Sequence, residues 1–121
     1  MSQYMLLLYS TDPTLEEREE RWTEMPLWRE VTESLRESGL LVSNGALNRV
    51  DTATTLRVRD GEVELTDGPF AVTKEVLAGY YVLECADLDE ALKHAARLPS
   101  ARYGSVEVRP IIGLSGDTDP R

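Results

Sequence analysis

The residues best suited to chemistry lie in one short segment near the middle of the chain. Residues 67–70 read Asp-Gly-Pro-Phe, a turn that could present the Asp67 carboxylate and the Phe70 ring at the mouth of a cleft. Lys74 and Glu75 follow, and a carboxylate, an aromatic ring and two opposite charges are typical of a small-molecule pocket. The tetrapeptide also fits a structural turn, in which Asp67 accepts hydrogen bonds from backbone amides and Phe70 packs in the core. The sequence leaves both interpretations open.

The single histidine and the single cysteine are weaker candidates. His94 has an ordinary pKa near neutrality, but no orienting partner lies at the spacing that a general base needs, which favours a half-buried surface position. Cys85 ends an apolar strand, where a lone cysteine is normally a small buried hydrophobe, although the helix beginning near Asp87 could activate it. One histidine and one cysteine do not make a zinc site. We therefore predict no metal and no cofactor.

Arg109 lies on the last predicted strand, where Val106 and Val108 alternate with it. Burial of the two valines places Arg109 on the opposite face of the sheet, towards a pocket or an interface. If Arg109 instead pointed beneath the helices, it would need a partner such as Asp67 or Glu75. The candidate ligand-binding residues are Asp67, Phe70, Lys74, Glu75, Tyr81 and Arg109.

The composition describes one acidic domain. With 121 residues the chain has room for a single core, and 41% hydrophobic and 29% charged residues are ordinary for a globular protein. Its 22 acidic and 13 basic residues give a net charge of −9, which argues against nucleic acid and anionic membranes as partners. The apolar run 5–9 is too short to span a bilayer and lacks the features of a signal peptide. Together with the lone cysteine, this predicts a cytoplasmic protein.

The first third of the chain predicts a strand followed by two helical pieces. The strand covers residues 4–9, and a helix begins after Thr14, whose hydroxyl fits a capping box with the Glu17 carboxylate. Trp22 is the expected inward anchor of this helix. Pro26 predicts a break and a second piece, because a proline removes a hydrogen bond from a helix interior. The inward stripe of the second piece comprises Leu27, Trp28, Val31 and Leu35, and Gly39 ends it as a left-handed cap.

The remaining elements are mostly strands. A strand over residues 40–47 carries Gly45 as a bulge or bend, and residues 54–66 alternate about an Asp-Gly turn, which predicts a hairpin. Further strands are predicted over 79–85 and 105–109. The helix between them begins at Asp87 and is stopped by Pro99. Its expected inward residues are Leu88, Ala91, Leu92, Ala95 and Leu98.

This order of elements predicts an α+β fold of the ferredoxin-like βαββαβ type with an inserted β-hairpin. Both helical regions return to one face of the sheet, which leaves the other face without cover. Since the first strand and the strand containing Tyr80 and Tyr81 are apolar, that face requires a partner. A second copy of the chain, related by a two-fold axis, is the simplest partner, and we therefore predict a homodimer.

Several ordered blocks of the sequence closely resemble the YCII-related domain family, in its DGPF subgroup. The blocks are 66–70 (Thr-Asp-Gly-Pro-Phe), 73–75 (Thr-Lys-Glu), 79–81 (Gly-Tyr-Tyr), 87–91 (Asp-Leu-Asp-Glu-Ala) and 104–110 (Gly-Ser-Val-Glu-Val-Arg-Pro). The resemblance predicts one domain over residues 3–112, followed by a loose C-terminal tail over 113–121. It implies a dimeric α+β barrel in a bacterial family whose functions are largely uncharacterised.

The resemblance also implies two kinds of function. Some relatives are suggested to be enzymes because a histidine and an aspartate line a cleft, and the DGPF subgroup is associated with sigma factors. In those relatives the histidine lies on the first helix, whereas no histidine precedes His94 here. We therefore expect a homodimeric module that binds a small molecule or a protein such as a sigma factor. The alternative is an acid–base enzyme that uses Asp67, Glu75, Tyr81 or His94.

Overall fold

Strands and short helices alternate along the chain in the computed structural model, which describes residues 1–12 and 14–113. The strands are β1 (Ser2–Thr11), β2 (Leu41–Ala46), β3 (Thr54–Arg59), β4 (Glu62–Asp67), β5 (Glu75–Cys85) and β6 (Ser105–Pro110). The α-helices are α1 (Leu15–Trp22), α2 (Met25–Glu37), α3 (Leu88–Ala95) and α4 (Ser100–Tyr103), and a short 3₁₀ turn covers Val50–Thr52. The predicted tail lies, from residue 114 onward, outside the described residues.

Four strands form one antiparallel sheet in the order β2-β5-β1-β6. This order and the intervening helices are consistent with a ferredoxin-like α+β fold. Strand β1 lies in the middle of the sheet and pairs with neighbours on both sides. Its residues 4–9 are apolar throughout, and their burial alternates because one face of the strand enters the core. On that face Leu6 lies between Tyr81 of β5 and Val108 of β6.

The helices pack on this same face of the sheet. Leu6, Leu35 and Leu83 are completely buried, and Leu98 is 1% exposed. The core cluster comprises Tyr4, Leu6, Leu8, Val31, Leu35, Tyr81, Leu83, Cys85, Ala91, Ala95 and Leu98, with Trp28, Val106 and Val108 packed at its margin. The predicted burial of Val31, Leu35, Ala91, Ala95 and Leu98 is confirmed.

Several predicted anchors are exposed instead. Trp22 is 70% exposed, and α1 turns its half-buried Arg21 inward in its place. Leu27 of α2 and Leu88 and Leu92 of α3 are each more than two-fifths exposed. The physical reason is that each helix touches the sheet along a narrow stripe spaced three or four residues apart, so residues beside that stripe remain in water.

The helix ends follow from local hydrogen bonding. The Thr14 hydroxyl accepts from the Glu17 amide at the start of α1, and the Asp87 carboxylate accepts from the Glu90 amide at the start of α3. Pro26 lies in the first turn of α2, as predicted. Pro99 does not simply stop a helix: α3 ends at Ala95, and Pro99 is the N-cap of α4, an element that the sequence analysis missed.

Strands β3 and β4 form a separate two-stranded sheet. Asp60 and Gly61 both have positive φ, as a tight hairpin turn requires. One face of this hairpin is charged, whereas the other carries an apolar stripe that is 55–67% exposed in each residue. We call this stripe the hairpin stripe; it consists of Leu56, Val58, Val63 and Leu65.

The face of the main sheet that points away from the helices, here called the open face, is partly apolar. Its residues are Met5 and Leu7 of β1, Tyr80 and Val82 of β5, and Glu107 and Arg109 of β6. Gly45 of β2 also lies here, under the ring of Tyr80, and it is not the predicted bulge. The register shift in β2 instead falls between Leu41 and Ser43.

Candidate functional site

A cavity of about 480 Å³ lies between α1, α2 and α4 on one side and the sheet on the other. This volume falls within the range of about 300–1,000 Å³ that is common for small-molecule sites. The sheet contributes Leu8, Ser10, Asn44, Ala46, Gly79 and Tyr81, whereas the helices contribute Arg21, Met25, Trp28, Thr32, Ser100 and Tyr103. The walls are thus largely apolar, with a few polar side chains directed from different elements.

The middle of the cavity is built by Tyr81, Trp28 and Thr32. Tyr81 of β5 is 4% exposed, and its ring stacks on Trp28 of α2 with the centroids 6.3 Å apart. Trp28 and Thr32 are four residues apart and therefore lie on one side of α2. The Thr32 and Tyr81 hydroxyls are 2.7 Å apart and share a hydrogen bond. This bond fixes the aromatic wall against the helix.

One end of the cavity is polar and is organised around Arg21. Its Nη1 lies 3.5 Å from the Ser10 Oγ and 3.3 Å from the Thr11 carbonyl oxygen. The guanidinium carbon lies 4.8 Å from the centroid of the Tyr103 ring, a cation–π contact. The nearest carboxylate oxygen of Glu17 is 3.7 Å away, at a more exposed position. Arg21 is therefore held mainly by neutral groups.

The same end contains Ser100 and Tyr103 from α4. Gly104 lets α4 lie close to β1, because a Cβ at this position would lie 2.0 Å from the Tyr9 carbonyl oxygen. Ser100 is 4% exposed, and its hydroxyl has no hydrogen-bond partner among residues 1–12 and 14–113. Burial raises the pKa of the Tyr103 hydroxyl and the Glu24 charge adds to this, so Tyr103 stays neutral at physiological pH.

The charge of the cavity differs from that of the whole chain. Three arginines line it, Arg21, Arg29 and Arg36, against one carboxylate, that of Glu33. Arg36 and Glu33 form an ion pair one turn apart on α2. The lining therefore carries an excess of positive charge in a chain of net charge −9. A field of this sign favours an anionic ligand over a cationic one.

Of the candidate ligand-binding residues, Tyr81 lines this cavity. Asp67 ends β4, at the base of the hairpin, and Phe70 is 79% exposed beyond it. Phe70 therefore does not pack in the core, so that part of the structural-turn interpretation is wrong. Lys74 is exposed, and Glu75 begins β5, where it accepts a 2.8 Å hydrogen bond from the Ser105 hydroxyl.

Arg109 lies on the open face of the sheet, opposite Met5 of β1. The predicted alternation is confirmed, because Val106 and Val108 pack at the margin of the core on the other side. Arg109 is exposed and is not paired with Asp67 or Glu75 among the described residues. The structure therefore separates Arg109 from the cavity and leaves it exposed on the open face.

His94 and Cys85 lie outside the cavity lining. Burial lowers the pKa of the His94 imidazole and the nearby Arg97 adds to this; the Arg97 Nη1 is 3.0 Å from Nδ1. Cys85 is completely buried, and its burial and the adjacent Glu90 raise the pKa of the thiol. A raised pKa keeps the thiol protonated, which removes the basis for nucleophilic activation at the start of α3.

The residues that the sequence analysis missed are Arg21, Thr32, Ser10 and Ser100. Thr32 was predictable as an inward residue, since it lies four residues after Trp28, which belongs to the predicted inward face of the same helix. Arg21 could not be identified from the sequence, because α1 is almost entirely charged and no local feature distinguishes one of its arginines from another. Ser100 directly follows Pro99, and a proline at the end of a helix predicts that the helix stops there, not that another one begins.

In the part of the chain that the structure describes, no group of three or more histidine, cysteine or acidic side chains is placed to hold a metal ion. Over the same residues, no helix combines the length and the hydropathy needed to cross a membrane.

Comparison with known proteins identifies similarity over nearly the whole chain. The model of the YCII-related domain matches residues 2–115. An uncharacterized protein of Rhizobium meliloti (strain 1021) is 48% identical over 77 residues, which are 62% of this chain and 62% of that protein. The match therefore spans less than two thirds of the length of that relative.

Proposed function

This chain belongs to the YCII-related domain family, and we propose that it is a binding protein whose small-molecule ligand occupies the cavity between the helices and the sheet. The proposal rests on the arrangement of the residues that line this cavity. An apolar and aromatic wall ends in a group of inward polar side chains, one of which, Ser100, is buried with a hydroxyl that has no partner among the described residues. Buried polar groups normally have partners, so a ligand would complete this arrangement.

The experiment uses tryptophan fluorescence, since the chain has two tryptophans and only Trp28 lines the cavity. In a Trp22→Phe background, Trp28 is the sole tryptophan and reports directly on the site. We expect members of a chemically broad library of small metabolites to change its emission at saturable concentrations. A library that produces no saturable change would contradict the proposal.

A cavity-filling variant provides the specificity control. Ala46 lines the cavity from β2, so Ala46→Trp occupies part of the volume and is expected to weaken every hit. Because this variant adds a tryptophan, binding is measured by calorimetry. Ala71→Trp introduces the same side chain at an exposed position outside the lining and is expected to leave binding unchanged. Equal affinities in the two variants would place the ligand elsewhere.

We also propose that a second copy of the chain covers the open face. Met5 and Leu7, both half-buried, lie beside Val82, which is 8% exposed within a single chain, and these residues give the face an apolar centre. Arg109 lies two residues from Glu107 on its edge strand. A two-fold axis can bring the arginine of one copy near the glutamate of the other, so the face is self-complementary in charge. The hairpin stripe adds exposed apolar area, and an isolated two-stranded hairpin is marginally stable unless it packs on something.

Sedimentation velocity tests this dimer. We expect the wild-type chain to sediment as a dimer at micromolar concentration, and Leu7→Glu to shift it to a monomer by placing a charge in the interface. Leu88→Glu on α3, at a residue that is 46% exposed, is the matched control and is expected to remain dimeric. Far-UV circular dichroism verifies that both variants fold. A wild-type monomer under these conditions would overturn the proposal.

Two finer hypotheses rest on the family resemblance alone. The sigma-factor association makes a protein partner a second candidate ligand, for which binding to purified sigma factors is the direct measurement. The acid–base alternative uses Asp67, Glu75, Tyr81 or His94, and of these Tyr81 lines the cavity. The separation of the others from it favours binding over catalysis as the proposal.

A further inference from the structure

The polar end of the cavity indicates which chemical class of ligand it suits, an inference that rests on the proposed function. Arg21 is the cation at this end, and its side chain is 24% exposed. Its contacts to the Ser10 hydroxyl and the Thr11 carbonyl, at 3.5 and 3.3 Å, are long for hydrogen bonds and leave donors of the guanidinium available. The Glu17 carboxylate is 3.7 Å away and more exposed, so it neutralises Arg21 only weakly.

Two serine hydroxyls accompany this guanidinium. Ser10 on β1 and Ser100 on α4 are each 4% exposed, and both line the cavity together with Arg21. The Ser100 hydroxyl is without a partner in the described chain, although burying such a group costs free energy unless a hydrogen bond compensates it. An acceptor placed between Arg21 and Ser100 would remove that cost.

We propose that this end binds the carboxylate of a small organic acid, with Arg21 supplying the charge and Ser10 and Ser100 supplying hydroxyl donors. One guanidinium balances one negative charge, which fits a carboxylate better than a doubly charged phosphate. The neutral body of the acid extends along the apolar wall, where Leu8, Met25 and the Trp28 ring offer contact area. An aromatic or short aliphatic acid satisfies both ends.

The other charges near the cavity are compatible with this assignment. Glu33 is engaged by Arg36, and Arg29 adds a further positive charge to the lining. Glu24 is not a lining residue, although one of its carboxylate oxygens is buried and its charge acts on Tyr103. That buried Glu24 oxygen has no hydrogen-bond partner among the described residues, and the Glu24 charge acts on Tyr103 more strongly than the Arg21 charge does. Arg21 is the cation at this end whose side chain lines the cavity, which makes this residue the one to test.

The test compares acids with neutral compounds of nearly the same shape. Binding of benzoate and 3-phenylpropionate is measured by calorimetry against benzamide and 3-phenylpropionamide. We expect at least one acid to bind about tenfold or more tightly than its amide, because a hydrogen-bonded charge pair contributes on the order of one decade in affinity. Inorganic phosphate, as a further probe, is expected to bind more weakly than the acid.

Variants show which residues cause the preference for an acid over its amide. Arg21→Gln is expected to abolish the difference between acid and amide, and Ser100→Ala to reduce acid affinity with little effect on the amide. Arg18→Gln removes a positive charge from the same helix at a residue outside this cavity, and it is expected to keep the full preference. Circular dichroism verifies the fold of each variant.

The outcomes separate this inference from the proposed function. Equal binding of acid and amide, or an undiminished preference in Arg21→Gln, would overturn the carboxylate assignment while the cavity remained a binding site. Absence of binding by either acid would also overturn it. The library screen with Trp28 would still decide whether the cavity binds any small molecule.

Discussion

Tyr81 belongs both to the hydrophobic core of this protein and to the lining of its cavity. Its ring stacks on Trp28, and its hydroxyl bonds to Thr32 at 2.7 Å across the gap between β5 and α2. We expect Tyr81→Phe to lower the free energy of unfolding by about 1 kcal/mol, because it removes one hydrogen bond and leaves the Thr32 hydroxyl unpaired. Urea denaturation followed by far-UV circular dichroism measures this change.

The neighbouring tyrosine is a matched control. Tyr80 lies on the opposite face of the sheet, and its hydroxyl has no hydrogen-bond partner within the described residues. Tyr80→Phe should therefore change the unfolding midpoint much less than Tyr81→Phe. Equal losses in the two variants would show that the contact between Thr32 and Tyr81 adds nothing to stability.

His94 makes stability depend on pH in a defined direction. Burial lowers its pKa below the ordinary value of 6.5, and Arg97 acts in the same sense. Protonation thus favours the unfolded chain: the stability that neutral His94 provides is complete above a pH of about 6.5 and is lost as the pH falls through the folded-state pKa.

Proton NMR measures this pKa directly, since the chain has one histidine and its ring resonances are unambiguous. We expect a midpoint below 6.5 in the folded protein. His94→Gln should have a smaller loss of stability than the wild type as the pH falls through this range. A folded-state midpoint above 6.5 would reverse the sign and refute the expectation.

At the level of secondary-structure elements, two leucines of helix α2 provide a test of which face of this helix is buried. Leu35 is completely buried, whereas Leu27, on the same helix and of the same residue type, is 43% exposed. Leu35→Ala is expected to cost about 2 to 5 kcal/mol of stability, because it removes packed methyl groups and leaves a cavity. Leu27→Ala should cost less than about 1 kcal/mol. Chemical denaturation of both variants provides the comparison, and similar losses would contradict the packing of α2.

The positions of the elements were predictable because their ends are encoded locally. Thr14, Pro26 and Asp87 mark helix starts through hydrogen bonds or backbone geometry that involve only nearby residues. The identity of the buried face was less predictable. Trp22 and Leu92 are apolar but exposed, because burial depends on how a helix packs against the sheet and not on residue type alone.

The site was predictable only in part for a related reason. Tyr81 was recognised from an aromatic strand, and it does line the cavity. Arg21 and Ser100 are 79 positions apart, and they share the cavity because α1 and α4 both approach β1 near Ser10. Such a meeting depends on tertiary structure, and neither residue has a distinctive sequence context. The segment 67–75 has a distinctive sequence context, but it contributes no residue to the cavity lining.

At the level of the whole molecule, the hairpin is separable from the cavity. None of the cavity-lining residues belongs to β3 or β4. The amide of Gly68 lies 2.7 Å from the Ala53 carbonyl oxygen, so the two ends of the hairpin already meet. We expect a variant in which two glycines replace residues 54–67 to fold and to bind cavity ligands with unchanged affinity.

Fluorescence of Trp28 measures ligand binding by this variant, and sedimentation velocity measures its dimerisation. Retained ligand affinity with a weaker dimer is the expected result, because the hairpin stripe leaves with the deleted segment. Loss of ligand binding in a folded variant would show that the hairpin shapes the cavity from a distance.

Because Cys85 is completely buried, the reactivity of its thiol reports how often the core of the protein opens. This thiol is the only one in the sequence, and it lies inside the cluster that joins sheet and helices. A thiol-specific reagent should therefore react at the rate at which the core transiently opens, without any engineered label. Ligands that bind only the folded chain would slow that reaction, so mass spectrometry of the modified chain could rank them without purification of each complex.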